Sequence, residues 1–262
     1  MIKSFLLKNE FFKHFLAFSY LILYQNKIEK KKYWMHYTNK GIFINFHPIK
    51  NLEIFINNYK SFTKYYLPKK NDIIFDLGAG LGQETFYFSK RVGDKGKVIS
   101  FEPDPRLFKV IKKMIFLNKL KNVKLYDKAF FSKNNKLIKF NLVDNWMQNS
   151  INKNDDSSKF VKIRTVTLDH IIKKNKIKKI DFAKFNIEGA EKFLQKGNKN
   201  FLKICKNVGV SCHDFIKGEE FKTFNKVRKI LINNNFQIIN NNSSDKIFKY
   251  YVYAKKKSKK LL

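Results

Sequence analysis

The sequence predicts an α/β protein: a doubly wound, mostly parallel sheet that ends in an antiparallel C-terminal hairpin. Three observations predict it. From residue 67 onward, short apolar runs rich in Ile, Val and Phe alternate with segments of helical periodicity, as βα units require. A glycine turn, "FDLGAGLGQET", lies where the first apolar run gives way to a helical pattern. Near the end, "FQIINN" and "KIFKYYVYA" flank the turn-rich "NNSSD" and read as a hairpin.

The elements follow in order. Strand one is "DIIFDL", and its helix runs from about Gly82 to Arg91. Strand two is "KVISFE". The next helix carries Leu107, Val110, Ile111, Met114, Ile115 and Leu117 on one face. Strand three is "NVKLYD". A hairpin of "KLIKFNL" with "KFVKIRTV" encloses a polar loop, in which Trp146 and Met147 read as a local apolar plug or as a cover for a bound ligand. Strand four is "IDFAKFNI", with a helix expected from "GAEKF", and strand five is "NVGVSC". A helix with Phe221, Phe224, Val227 and Leu231 on one face precedes the hairpin. In such sheets ligands sit outside the carboxyl ends of the strands, at the topological switch point.

Three regions are expected: an extension over 1–66, the α/β domain over 67–256 and a basic tail over 257–262. The extension reads as a helix, a basic linker, a strand near "GIFINF" and a second helix, closed by the proline-bearing "YLPKKND". Its first stretch, "FFKHFLAFSYLILYQN", carries Lys13, and its uncharged part is shorter than the roughly 20 residues a spanning helix needs. No small-residue cleavage site follows, so no signal peptide is expected. The stretch reads as a helix packed on the domain. The alternative is an interfacial membrane helix followed by the basic run "KIEKKK".

Composition narrows the class of protein. A hydrophobic content of 44% in 262 residues excludes a mostly disordered chain. The net charge of +34 invites a nucleic-acid reading, but 51 lysines are spread along the chain and only four arginines accompany them. Arginine is the residue of bidentate phosphate and base contacts. The excess of Lys, Asn, Ile and Phe reads as coding bias, and no specific nucleic-acid partner is expected. Peripheral contact with an anionic membrane stays open. Cys205 and Cys212 form neither a disulfide framework nor a zinc pattern, which points to a reducing cytoplasm. No cluster has metal-ligand spacing.

The glycine turn carries the chemistry. Asp76, Gly78, Gly80 and Gly82 form D-x-G-x-G-x-G between a strand and a helix. The dinucleotide fingerprint G-x-G-x-x-G is not met, because position 83 is Gln. A P-loop is excluded too, since "GQE" stands where G-K-[ST] would be. Asp76 would oppose a pyrophosphate and suits a cationic group, such as the amino group of S-adenosylmethionine. Glu102 ends strand two, 20 residues after Gly82, where a carboxylate accepts from ribose hydroxyls. Asp127, ending strand three, is placed to reach an adenine edge or to be a solvated turn acid.

Together these residues resemble the FkbM-type methyltransferases, a family of class I S-adenosylmethionine-dependent enzymes. The matching blocks are "FDLGAGLGQET", "GKVISFEPDP", "LNKLKNVKLYDKAF", "VKIRTVTLDHI" and "IDFAKFNIEGAE", over about residues 70 to 215. The resemblance implies the class I methyltransferase sheet, S-adenosylmethionine as cofactor and O-methylation of sugars or other small hydroxyl-bearing acceptors. Two positions depart from the family pattern. Gly80 stands where Asn is frequent, and Asn186 in "KFNIEG" replaces an aspartate while Glu188 is kept.

Methyl transfer to a hydroxyl needs positioning and a base for the acceptor proton. The ends of strands four and five supply Asn186 and Glu188 on one side, His213 and Asp214 on the other. His213 is the expected base, since its ordinary pKa lies near neutrality. Glu188 is expected to set the acceptor or order the following helix, and His170 to be structural. Methylation of an amine or lipid headgroup, a basic polyanion-binding protein and a cofactor-binding module without catalysis remain the alternatives.

Overall fold

The computed structural model describes residue 15 and residues 27–30, 33–49, 51–142 and 159–258. The rest of the N-terminal aromatic stretch, Trp146, Met147 and residues 259–262 lie outside the described residues. No helix among the described residues is long and apolar enough to cross a membrane.

The chain opens with an antiparallel meander: β1 (Lys27–Lys30), β2 (Trp34–Tyr37) and β3 (Ile42–Asn45). The expected strand near "GIFINF" is β3, and two further strands join it. Helix α1 (Leu52–Asn57) begins at Asn51, whose side chain accepts from the Ile54 amide, and α2 (Tyr59–Phe62) follows.

A seven-stranded sheet then forms from β4 (Ile73–Leu77), β5 (Lys97–Phe101), β6 (Val123–Tyr126), β10 (Phe182–Phe185), β11 (Asn207–Ser211), β12 (Phe236–Ile239) and β13 (Tyr251–Lys256). Their order is β12-β13-β11-β10-β4-β5-β6. Only β13 runs against its neighbours, pairing antiparallel with β11 and β12. The central strands are buried on both faces, which is why they read as continuous apolar runs. A smaller sheet, β7-β9-β8, takes β7 (Ala129–Phe130), β8 (Leu137–Leu142) and β9 (Lys159–Val166), with β8 and β9 as the expected hairpin.

The connecting helices are α3 (Gln83–Val92), α4 (Pro105–Leu117), α5 (Leu168–Lys174), α6 (Lys199–Ile204) and α7 (Phe224–Asn233). Asp104 caps α4 and Thr167 caps α5 through their side chains. The helix expected at "GAEKF" is instead a 3₁₀ turn over Ala190–Phe193.

Residues 34–62 are not peripheral to this sheet. Met35, Phe43 and Ile44 share a core with Phe86, Ile111 and Met114 of α3 and α4. Phe62 packs with Ile74, Phe88, Phe182 and Tyr251. The Asn118 side chain ties β3 to the end of α4, accepting from the Ile42 amide at 2.8 Å and donating to its carbonyl at 2.7 Å. The expected extension over 1–66 therefore supplies buried side chains to the sheet's own cores, because the apolar face of α4 needs a cover.

Candidate active site

The chain moves from β4 outward through β5 and β6, then returns to place β10 on the other side of β4. The crevice between the exits of β4 and β10 is the switch point of the sheet. Here the glycine turn opens: Gly78, Gly80 and Gly82 have φ of 75°, 60° and 89°. A Cβ on Gly78 would lie 1.8 Å from the Asn186 carbonyl, so the turn rests directly on the exit of β10. A cavity of about 690 Å³ fills the crevice, lined among others by Gly78, Gly80, Glu102, Asn186, Glu188 and His213. That size is ordinary for a small-molecule site.

Glu102 stands at the end of β5 and is 5% exposed. Its Oε2 accepts from the Gly80 amide at 2.8 Å and its Oε1 from the Asp104 amide at 2.9 Å. Burial pushes its pKa up to about 8, against the pull of those two donors. A carboxylate has lone pairs for further donors, so a ribose diol in the cavity fits it.

Two expected contacts fall elsewhere. Asp76 is fully buried and does not line the cavity. Its Oδ2 accepts from Thr85 Oγ1 at 2.6 Å, and its Oδ1 lies 3.0 Å from Lys184 Nζ in an ion pair that falls short of hydrogen-bond geometry. Lys184 also donates to the Gly78 carbonyl at 2.6 Å. Asp76 thus anchors the glycine turn from beneath instead of meeting a cationic ligand, because a buried lysine already claims its charge. Asp127 is exposed and pairs with Lys128 at 2.9 Å. Lys128 lines the cavity and Asp127 does not, which matches the solvated turn acid of the two readings open for Asp127.

The ends of β10 and β11 meet as expected, but with a different chemistry. His213 is 2% exposed and sits between two carboxylates. Its Nε2 is 3.0 Å from Glu188 Oε1, and its Nδ1 is 3.1 Å from Glu191 Oε1. Burial disfavours the imidazolium, but the Glu191 and Glu188 carboxylates outweigh it and raise the pKa to about 10. A protonated imidazole cannot accept a proton, so His213 does not suit the role of base expected of it. Asp214, its neighbour, is taken up in accepting from the Thr223 and Phe224 amides at the start of α7, both at 2.9 Å.

Glu188 lines the cavity with its side chain 17% exposed. Its backbone is left-handed, at φ 50°, followed by Gly189 at 88°. For a residue other than glycine this costs on the order of 1–3 kcal/mol, a strain found where a side chain must be aimed. Asn186 also lines the cavity, its amide N–H donating to the Leu77 carbonyl at 3.0 Å. His170 is exposed on α5. Cys205 and Cys212 are buried free thiols. Among the described residues no group of three or more His, Cys, Asp or Glu is arranged to hold a metal ion.

Sequence reasoning missed Gln83, Glu84, Lys184 and Glu191. For Glu84 a signal existed: an acid in the first turn of the helix that follows the glycine turn. Lys184 lies in a strand that reads as apolar throughout, and nothing local marks it.

The sheet order, with its single antiparallel strand, and a cavity at the glycine turn define a class I S-adenosylmethionine-dependent methyltransferase. The family model for the methyltransferase FkbM domain matches residues 76–238, more than half of the chain, and the protein belongs to that family. A search of curated proteins found no match.

Solved structures with a similar arrangement include three methyltransferase-related proteins. An S-adenosylmethionine-dependent methyltransferase from Aquifex aeolicus is 18% identical, with 76% of this chain and 92% of that one covered and a TM-score of 0.42. Fibrillarin from Aeropyrum pernix, solved with natively bound S-adenosyl-L-methionine, is 10% identical, with 87% and 99% covered and a TM-score of 0.46. The methyltransferase FkbM from Methylobacillus flagellatus is 16% identical, with 72% and 45% covered and a TM-score of 0.46. The expected cofactor is S-adenosylmethionine. The residues present fit it: a strand-end acid for ribose hydroxyls, and a buried Gln83 Oε1 beside the glycine turn that has no hydrogen-bond partner among the described residues and calls for a donor.

Proposed function

We propose that this methyltransferase acts on a hydroxyl of a glycan or related small metabolite, with Glu188 as the base for the acceptor proton. The observation that carries this reading is the Glu188 carboxylate at the cavity wall, held through one oxygen by His213 at 3.0 Å. When bound, S-adenosylmethionine supplies an electrophilic methyl group. A hydroxyl that gains a methyl group becomes far more acidic than any carboxylic acid. An ordinary carboxylate therefore suffices to take the proton, and strong basicity is not required. The Glu188 carboxylate, at the cavity wall, is the group that receives it. Asn186, neutral where relatives carry an aspartate, orients the acceptor by hydrogen bonds alone. His213 holds Glu188 in position.

The test is turnover of the full chain with S-adenosylmethionine and a panel of sugars, followed as S-adenosylhomocysteine release and by locating the new methyl group. Glu188→Gln should lower kcat by about 10²-fold or more, with cofactor affinity changed less than about twofold. A methyl group found on nitrogen, or a Glu188→Gln rate equal to wild type, would overturn the assignment.

A further inference from the structure

The start of α3 brings two acceptors to the cavity: the Glu84 carboxylate and Gln83 Oε1, the latter without a hydrogen-bond partner among the described residues. Glu84 lines the cavity and is 3% exposed. Its Oε1 takes hydrogen bonds from Asn58 Nδ2 at 2.6 Å and from Gln83 Nε2 at 3.4 Å, both neutral amides. No cation of the described residues lies within 4 Å of it. The charged and titratable groups that face it are Lys184 on β10, Asp76 on β4 and the Tyr251 phenol on β13. Lys184 is committed to Asp76 and to the Gly78 carbonyl. Beside Glu84, Gln83 Oε1 is buried with no partner. Burial raises the pKa of Glu84, as expected for a carboxylate short of a counter-charge.

We propose that Glu84, assisted by Gln83 Oε1, receives the α-ammonium of the cofactor's amino-acid end. This rests on the reading of the cavity as an S-adenosylmethionine site. Glu102 ends β5 and is bonded to the Gly80 amide, while Glu84 stands in the first turn of α3 against Asn58; both line the cavity. A ligand lying along the glycine turn meets one acid at each end: Glu102 at the ribose, Glu84 at the ammonium. A primary ammonium carries three donors, which the Glu84 carboxylate and Gln83 Oε1 can accept. The pairing sets specificity, since it distinguishes a cofactor with a charged amino-acid tail from an adenosine without one.

The experiment compares two ligands by calorimetry on the full chain at pH 6.5. S-Adenosylhomocysteine carries the ammonium, which is protonated at this pH as in any free α-amino acid. 5′-Methylthioadenosine keeps the adenosine and sulfur but lacks the amino-acid end. Glu84→Gln should weaken S-adenosylhomocysteine about 10- to 100-fold, the loss of a charge-assisted hydrogen bond. Methylthioadenosine affinity should change less than about twofold, which also reports that the variant is folded. An unchanged S-adenosylhomocysteine affinity in Glu84→Gln overturns the proposal. So does an equal loss of both affinities in Glu84→Gln. If the wild-type chain binds neither ligand, the cofactor reading itself fails, and this assignment with it.

Discussion

Glu191 Oε1 lies 3.1 Å from His213 Nδ1, and both side chains are almost fully buried, at 1% and 2% exposure. Glu191 Oε2 has no hydrogen-bond partner among the described residues. A carboxylate in that position is tolerable only if its partner is charged. The arrangement fixes His213 as an imidazolium, and with it the orientation of Glu188.

The first prediction follows directly. An NMR titration of the His213 imidazole in the full chain should find it protonated at pH 7.5, with a midpoint near 10. Glu191→Gln should lower that midpoint, since the carboxylate's attraction is lost while burial continues to oppose the charge. A wild-type midpoint near the ordinary value of about 6.5 would return His213 to the role of base. The sign for stability is also set. With its folded pKa raised above the unfolded one, His213 contributes stability that is full below pH 6.5 and lost as the pH rises through about 10.

A second prediction concerns the ranking of variants in turnover. Glu188→Gln removes the group that takes the proton and should cost the most, about 10²-fold or more in kcat. His213→Gln should cost less, because it loosens a carboxylate that is still present. The opposite ranking would show that His213 itself handles the acceptor proton. Asn186→Asp completes the set: a faster variant would mean that the neutral amide weakens this copy of the family site.

The strand order was legible because buried parallel strands write themselves as apolar runs, and Phe75, Val98, Ala183 and Val208 are such residues. The glycine turn and Glu102 were legible because strand ends and turns have local signatures. Which acid faces the cavity was not. Asp76 and Glu84 are eight positions apart, and the choice between them is made by Lys184, whose ammonium reaches the glycine turn from 106 positions away. The charge on His213 was hidden for the same reason, since Glu191 and His213 meet only when β10 and β11 pair. β1 escaped notice because four residues of "KIEK" show too little alternation to read as a strand.

Removing residues 1–64 is the third prediction. The deletion strips Met35, Phe43 and Ile44 from the faces of Phe86, Ile111 and Met114, and Phe62 from Phe182. Each large apolar side chain buried contributes about 1.5–3 kcal/mol, so the loss of these four, about 6–12 kcal/mol, is as large as the usual net stability of about 5–15 kcal/mol. The shortened chain should be insoluble or lack a cooperative thermal transition. A soluble fragment with wild-type affinity for S-adenosylhomocysteine would show that this packing is dispensable.

The last prediction uses Glu102. Its folded pKa is raised to about 8, so the free protein holds a proton there that the unfolded chain gives up near pH 4.5. By linkage, the stability it contributes is full below pH 4.5 and lost as the pH rises through about 8. A ribose diol that donates to the carboxylate reverses the preference, since it binds the ionised form. Below the free pKa, binding must then expel the proton, and affinity rises with pH. For 5′-methylthioadenosine, which lacks the amino-acid end, the gain should approach about tenfold per pH unit between pH 6 and 7.5. It should level off above pH 8. Glu102→Ala should weaken binding by about 1–3 kcal/mol at pH 8, for the lost charge-assisted hydrogen bonds. The same variant should make the profile flat. A wild-type profile that is already flat across this range would place the ribose away from Glu102. The adenosine would then have to be held by other walls of the cavity, with Lys128 and Phe130 the first side chains to test.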